Sequence, residues 1–148
     1  MKRSKATNSE NLKKWGFTQW HRLNFENKEN LLKELNELRP KTGVYAIKSD
    51  KSFGRFFKNS DIVYIGSSRD KKSGLKGRIK HFFKPGITQK TSKRINWWIR
   101  NYPNKFKISL LVTKPQKALS VEYRLLTFYE KKHGELPPFN RNIGIRQN

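Results

Sequence analysis

Two short apolar runs, GVYAI at 43–47 and IVYIG at 62–66, each centred on a tyrosine, stand either side of a loop of glycine, lysine, arginine and asparagine. Runs rich in valine, isoleucine and tyrosine and bounded by glycine read as β-strands, and two of them joined by a polar loop read as a hairpin. Pairing these runs sets Tyr45 and Tyr64 on adjacent antiparallel strands, where side chains on one face stand a few ångströms apart. A two-stranded hairpin is not stable by itself, so the rest of the chain has to supply at least one more strand and a packing layer. Whether the tyrosines are ordinary core or are held together for chemistry depends on residues further along.

The remaining elements follow from periodicity and punctuation. NKENLLKELNEL at 27–38 carries Leu31, Leu35 and Leu38 on one stripe and stops before Pro40, which makes it the clearest helix of a segment that reads as helical in pieces over 9–39. GLKGRIKHFF reads as a short helix over 75–84, and TSKRINWWIRN as another, capped by Thr91 or Ser92. KFKISLLV at 105–112 is the third strand. The segment after Pro115 is the strongest helix and is closed by Gly134. LPPFNRNIGIRQN reads as extended. Three strands with interspersed helices make a small α+β domain. Residues 1–40 are expected to form a basic arm and a helical extension, and residues 41–148 the main domain.

Charge narrows the partner. The chain of 148 residues has 34 Lys and Arg against 11 Asp and Glu, a formal net charge of +23. No acidic residue occurs between Asp70 and Glu122, whereas residues 71–117 hold 14 Lys and Arg. A one-signed stretch of that length reads as a phosphate-tracking face, the alternative being lysines that only solvate exposed helices. Lys72, Lys76, Lys80, Lys90, Lys93 and Arg94 are the candidate backbone contacts within it. Trp97 and Trp98 are able to stack bases, but adjacent helical positions point about 100° apart, so one is expected in the core and the other partly exposed. With no cysteine there is neither a disulfide framework nor a thiolate metal site. The longest apolar run, ISLLV, is too short to span a bilayer, and MKRSK is followed by polar residues where a signal peptide needs apolar ones. A cytoplasmic protein without a membrane partner is the expectation.

Two polar constellations stand out. On the last helix, Ala118, Leu119, Val121, Leu125, Leu126, Phe128 and Tyr129 define an apolar stripe, and Glu122 falls near its middle. A carboxylate aimed at a core is either a structural ion pair with an arginine or a hard oxygen ligand of the kind Mg²⁺ prefers. In the helix at 75–84, Arg78 and His81 lie three residues apart and can face one cleft, where an arginine holds a phosphate bidentately and a histidine moves a proton near neutrality.

Taken in order, GVY at 43–45, YIG at 64–66, LKGRIKHF at 75–82, a helix with a central Glu122 and PPFN ending at Asn140 resemble the GIY-YIG nuclease family over residues 41–142. The resemblance implies a three-stranded antiparallel sheet flanked by helices and a metal-dependent endonuclease that hydrolyses DNA phosphodiesters. It implies catalytic roles for Tyr45, Tyr64, Arg78, Glu122 and Asn140, with His81 as a competing proton carrier. Glu122 would be the ligand of Mg²⁺, for which Mn²⁺ can substitute. Double-stranded DNA is the implied partner, and RNA stays open because phosphate contacts carry no sugar identity. A cationic field rich in Arg, Lys and Mg²⁺ is expected to favour a tyrosinate base. Two features depart from the family. His81 lies three places after Arg78, and Phe82 occupies the fourth place, where the family has a polar side chain. The 18 residues between Tyr45 and Tyr64 are also a long connection, and Arg55 and Lys58 within it are candidate DNA contacts. A non-catalytic nucleic-acid-binding protein on the same fold is the alternative.

Overall fold

The computed structural model describes residues 9–36 and 41–140. The basic arm at 1–8, Leu38 and Pro40 at the expected helix stop, and the last eight residues lie outside them. The fold is α+β, built on an antiparallel sheet. Strand β1 is His21–Arg22, β2 is Thr42–Phe53, β3 is Ser60–Ser68 and β4 is Phe106–Thr113, in the order β1-β4-β2-β3. Among the described residues the sheet therefore has four strands, not the expected three. The addition is a polar two-residue strand, too short to leave any periodicity in the sequence. It pairs with β4 through His21 opposite Ile108 and Arg22 opposite Lys107. Around it, the Thr18 amide donates to the Leu110 carbonyl at 2.8 Å and the Leu23 amide to that of Phe106 at 3.0 Å.

Helices cover both faces. Helix α1 is Ser9–Leu12, followed by a 3₁₀ turn to Trp15; α2 is Lys28–Leu35, α3 is Gly74–Phe83, α4 is Lys90–Asn101 and α5 is Pro115–His133. One core joins Tyr45, Ile47, Ile108 and Leu110 of the sheet to Leu31 and Leu35 of α2, Leu75, Ile79 and Phe82 of α3, and Ile95, Trp98 and Ile99 of α4. The other joins Val44, Ala46, Ile62 and Ile65 to Leu125, Leu126 and Tyr129 of α5, with Leu12 and Phe17 added from the N-terminal segment. Residues 9–36 thus contribute to both cores. Of the tryptophan pair, Trp98 is buried and Trp97 half-exposed, as the 100° helical step requires. Among the described residues no helix is long and apolar enough to cross a membrane.

Two helix ends test the capping expectations. Helix α5 begins with Pro115 at its first turn and ends at Gly134 with φ +79°, as the sequence predicts. Helix α4 does not begin as expected. Its cap position is Gln89, and Thr91 and Ser92 lie inside the first turn. The Gln89 side chain makes no cap bond and turns elsewhere.

The hairpin is longer than the two apolar runs, with residues 54–59 as its loop. Tyr45 lies opposite Gly66 and Ile47 opposite Tyr64, but Lys48 lies opposite Ile62. Val63 is therefore the extra residue of a bulge, and Val63 and Tyr64 both pack with the α3–α4 core while Ile62 and Ile65 pack with the α5 core. Gly43 is needed because β4 passes so close: a Cβ there would sit 2.1 Å from the Leu111 carbonyl oxygen. Gly43→Ala should destabilise the fold by about 1–3 kcal/mol, the usual cost of forcing atoms into a packed site. Gly54→Ala, where the nearest atom is 4.0 Å away, is the matched control. Urea unfolding checks this, and an alanine at 43 that left the midpoint unchanged would contradict the strand packing.

Candidate active site

The site gathers at the C-terminal end of β3, an edge strand. On its α3 side, the rings of Tyr45 and Tyr64 stack with centroids 6.0 Å apart and planes 29° from parallel. Tyr45 is 2% exposed and meets Phe82 edge-on at 5.5 Å. Gly66 makes room for it, since a Cβ at 66 would lie 2.5 Å from the Tyr45 hydroxyl. Burial pushes the Tyr45 phenol well above its ordinary value, and Tyr64 and Glu122 add to the rise while Arg78 opposes it. Tyr64 is also raised, first by burial and then by Glu122, with Arg78, the Tyr45 hydroxyl and Thr91 acting the other way. The expected tyrosinate is therefore not favoured by this chain's own charges: desolvation outweighs the nearby arginine. Tyr64 has the greater exposure of the two.

On the other side of β3, Glu122 projects from α5 and is 8% exposed. Alternation along β3 turns Ser67 toward it, and the Ser67 hydroxyl donates to Glu122 Oε1. Burial raises the carboxyl above the usual range, against the Ser67 hydrogen bond and the charges of Arg78 and Arg69. Glu122 forms no ion pair within 4.0 Å among the described residues, so none of the described arginines is its structural partner. No three His, Cys, Asp or Glu side chains converge there either. A buried carboxylate with a single hydroxyl partner suits a hard divalent cation that completes its shell with water and phosphate oxygens.

Helix α3 brings Arg78 and His81 to an open depression of about 230 Å³ lined also by Ser68, Asp70, Ser73 and Gln89. Arg78 is exposed and His81 half-buried. Gln89 Oε1 accepts from the Gly86 amide at 2.7 Å, which turns its Nε2 toward His81 Nδ1 at 3.2 Å. In this arrangement the amide donates to Nδ1, and the neutral imidazole keeps its proton on Nε2. His81 thus presents an N–H rather than a lone pair. The adjacent Phe82 is wholly buried in the core.

Asn140 reaches the same strand from the segment after α5. Its Oδ1 accepts from the Ile65 amide and its Nδ2 donates to the Ile65 carbonyl, both at 3.0 Å, and the Phe139 amide donates to Val63. Both amide ends are engaged in holding β3, so Asn140 positions the strand. Arg55, one of the expected DNA contacts, is engaged within the fold. It donates to the Leu136 carbonyl at 2.5 Å and pairs with Glu135 at 3.1 Å, tying the hairpin loop to the end of α5. Lys58 is exposed in that loop, at the opposite end of β3 from Ser67. Lys72, Lys76 and Lys80 line a second depression along α3, with Lys76 bonded to Asn36. Lys90 and Lys93 are exposed and Arg94 half-exposed on α4.

Ser67, Arg69, Thr91 and Gln89 are site residues that the sequence reading missed. Strand alternation past Gly66 could have pointed to Ser67; nothing local marks Gln89. No protein-family model matches the chain, and no curated protein or solved structure matches it.

The raised Glu122 carboxyl has a stability consequence. The folded state holds this proton more tightly than the unfolded chain, so folding loses stability as pH rises from the ordinary carboxyl value through the folded one. Glu122→Gln removes that loss, and its amide oxygen can still accept from Ser67. In metal-free buffer the variant should melt higher than the parent at pH 7, with the gap closing as pH falls below about 4. Calorimetry across pH checks it; a gap that is independent of pH would show that the buried charge is not the cause.

Proposed function

We propose that the protein is a metal-dependent DNA endonuclease of the GIY-YIG type. The observation that carries this reading is the coupling of Tyr45, Tyr64, Arg78 and Glu122. Burial raises both phenols, and the Glu122 carboxylate adds to that rise while Arg78 opposes it, although those groups come from different helices on opposite faces of the sheet. Such perturbed, mutually coupled groups in a basic surface are what a phosphodiester site requires.

The roles follow from position. Arg78, exposed at the depression, receives a phosphate through its guanidinium fork and offsets the charge that grows on the phosphoryl oxygens. His81 donates its Nε2–H to a phosphate or leaving oxygen. Tyr64 orients the attacking water and accepts its proton, while Tyr45, buried behind it, fixes the ring. Glu122 would hold one Mg²⁺ or Mn²⁺, which supplies positive charge to the scissile phosphate. Asn140 keeps β3 in place beneath them.

Glu122→Gln should abolish plasmid cleavage in Mg²⁺ while leaving DNA affinity unchanged or tighter, because a negative charge is removed beside the phosphates. Cleavage by this variant at the parent rate would remove Glu122 from the mechanism. If the parent protein binds DNA and leaves plasmid intact under every metal condition, the non-catalytic reading replaces this one.

The proton acceptor is separable by pH. With Tyr64 raised above its ordinary value, the rate should still climb above about pH 7.5 and should not level near neutrality. Tyr64→Phe should be inactive, and His81→Ala should retain measurable cleavage, the loss of one donor costing roughly 10²–10³-fold. A rate plateau near pH 7 with a dead His81→Ala enzyme and an active Tyr64→Phe enzyme would exchange their roles.

A further inference from the structure

Helix α4 has an outer face that the proposed chemistry does not use. Stepping 100° per residue, Lys90, Lys93, Arg94, Trp97, Arg100 and Asn101 fall within one third of its circumference, opposite Ser92, Ile95 and Ile99 in the interior. Trp97 is 50% exposed and Tyr102 48%, and their rings meet edge-to-face with centroids 6.1 Å apart. The assembly is braced: the Asn101 amide donates to the Trp97 carbonyl at 2.8 Å, and Arg100 Nε donates to Asn96 Oδ1 at 2.9 Å.

Two large aromatic side chains left in water cost free energy that a protein ordinarily recovers by burial. Here the cations around them make no ion pair among the described residues, and the sequence supplies no carboxylate from 71 to 121. The surface therefore suits a ligand that is at once anionic and aromatic. A second copy of this chain would bring another basic face against it, which charge opposes. Double-stranded nucleic acid satisfies the charge but keeps its base faces stacked inside the duplex. An unpaired strand offers both phosphates and open base faces.

The position of this face adds direction. The first turn of α4 carries Thr91, which acts on Tyr64, and the residue before the helix is Gln89, which holds His81. Trp97 lies seven residues beyond Lys90, about 10 Å along the axis. We propose that the outer face of α4 is a stacking platform for an unpaired nucleic-acid strand that leads to or from the candidate site. The substrate would then be a nucleic acid with a single-stranded segment, such as a flap, fork or loop. The proposal rests on the nucleic-acid reading above but not on cleavage.

The test is binding in EDTA, where no metal-dependent cleavage can contribute. Oligothymidylate should quench tryptophan fluorescence in the parent protein, and a perfectly paired hairpin of equal charge should quench it less. Trp97→Phe, which keeps an aromatic face, should lose the quench and retain most of the affinity. Trp97→Ala should weaken oligothymidylate binding by about 5- to 150-fold, the range for losing one stacked base, and affect the paired hairpin far less. Equal weakening of both ligands, unchanged affinity for oligothymidylate, or failure of the parent to bind it would each overturn the proposal. So would a Trp97→Ala protein whose only change, by light scattering, is a shift from dimer to monomer. Loss of cleavage in the parent with the tryptophan response intact would sink the nuclease reading alone.

Discussion

The close packing of Tyr45 on Gly66 is the contact on which the candidate site depends. These residues face each other across β2 and β3, and the hydroxyl end of the ring occupies the space a Cβ would fill. That register sets Tyr64 diagonally beside Tyr45, within stacking distance. It also decides, by alternation, that Ser67 points to the other face. The bulge at Val63 lies just before Tyr64 and lets the strand keep this register while its other end continues into a longer hairpin. A slip by one residue would turn Tyr64 toward α5 and Ser67 toward α3, and neither cluster would exist.

An edge strand is where groups on opposite faces of a sheet can still meet a common ligand. The interior strands of this sheet separate the α3–α4 core from the α5 core. Beyond β3 there is no further strand among the described residues, and Arg78 from α3 and Glu122 from α5 both influence the tyrosines. An open edge exposes unpaired backbone groups, a liability in most proteins. Here Phe139 and Asn140 satisfy part of it, through one backbone bond and a side-chain amide that mimics a strand partner. The described part of the segment after α5 covers the edge at Val63 and Ile65.

Much of this was legible in the sequence because it is written in local patterns. The tyrosine-centred strands, the helices that became α3 and α5, and the inward Glu122 all follow from periods of two or 3.6 residues. What was not legible depends on partners distant in the chain. Strand β1 exists because β4 offers an edge to it, and two polar residues carry no signal of that. Arg55 looked like a free loop cation until Glu135 and Leu136, 80 and 81 residues later, were brought beside it. Thr91 looked like a cap because it is a threonine ahead of a helix. In the fold the helix begins one residue earlier, at Lys90, and the Thr91 side chain serves Tyr64 instead.

That both phenols are raised within so cationic a chain is a matter of length scale. A formal charge of +23 is a property of the whole surface, and its field acts at long range on a polyanion that approaches from solvent. Desolvation acts on one phenol through the atoms that touch it. The lysines of α3 and α4 lie on outer faces, where water screens them, and Arg78 is the cation whose charge opposes the rise of both phenols. In the proposed nuclease the two effects would divide the labour between capture and chemistry. The diffuse positive surface would set how often and how tightly a nucleic acid is held, with a steep dependence on salt. What happens to a bound phosphate would be set by a few groups at the end of one strand, whose proton affinities are governed by packing.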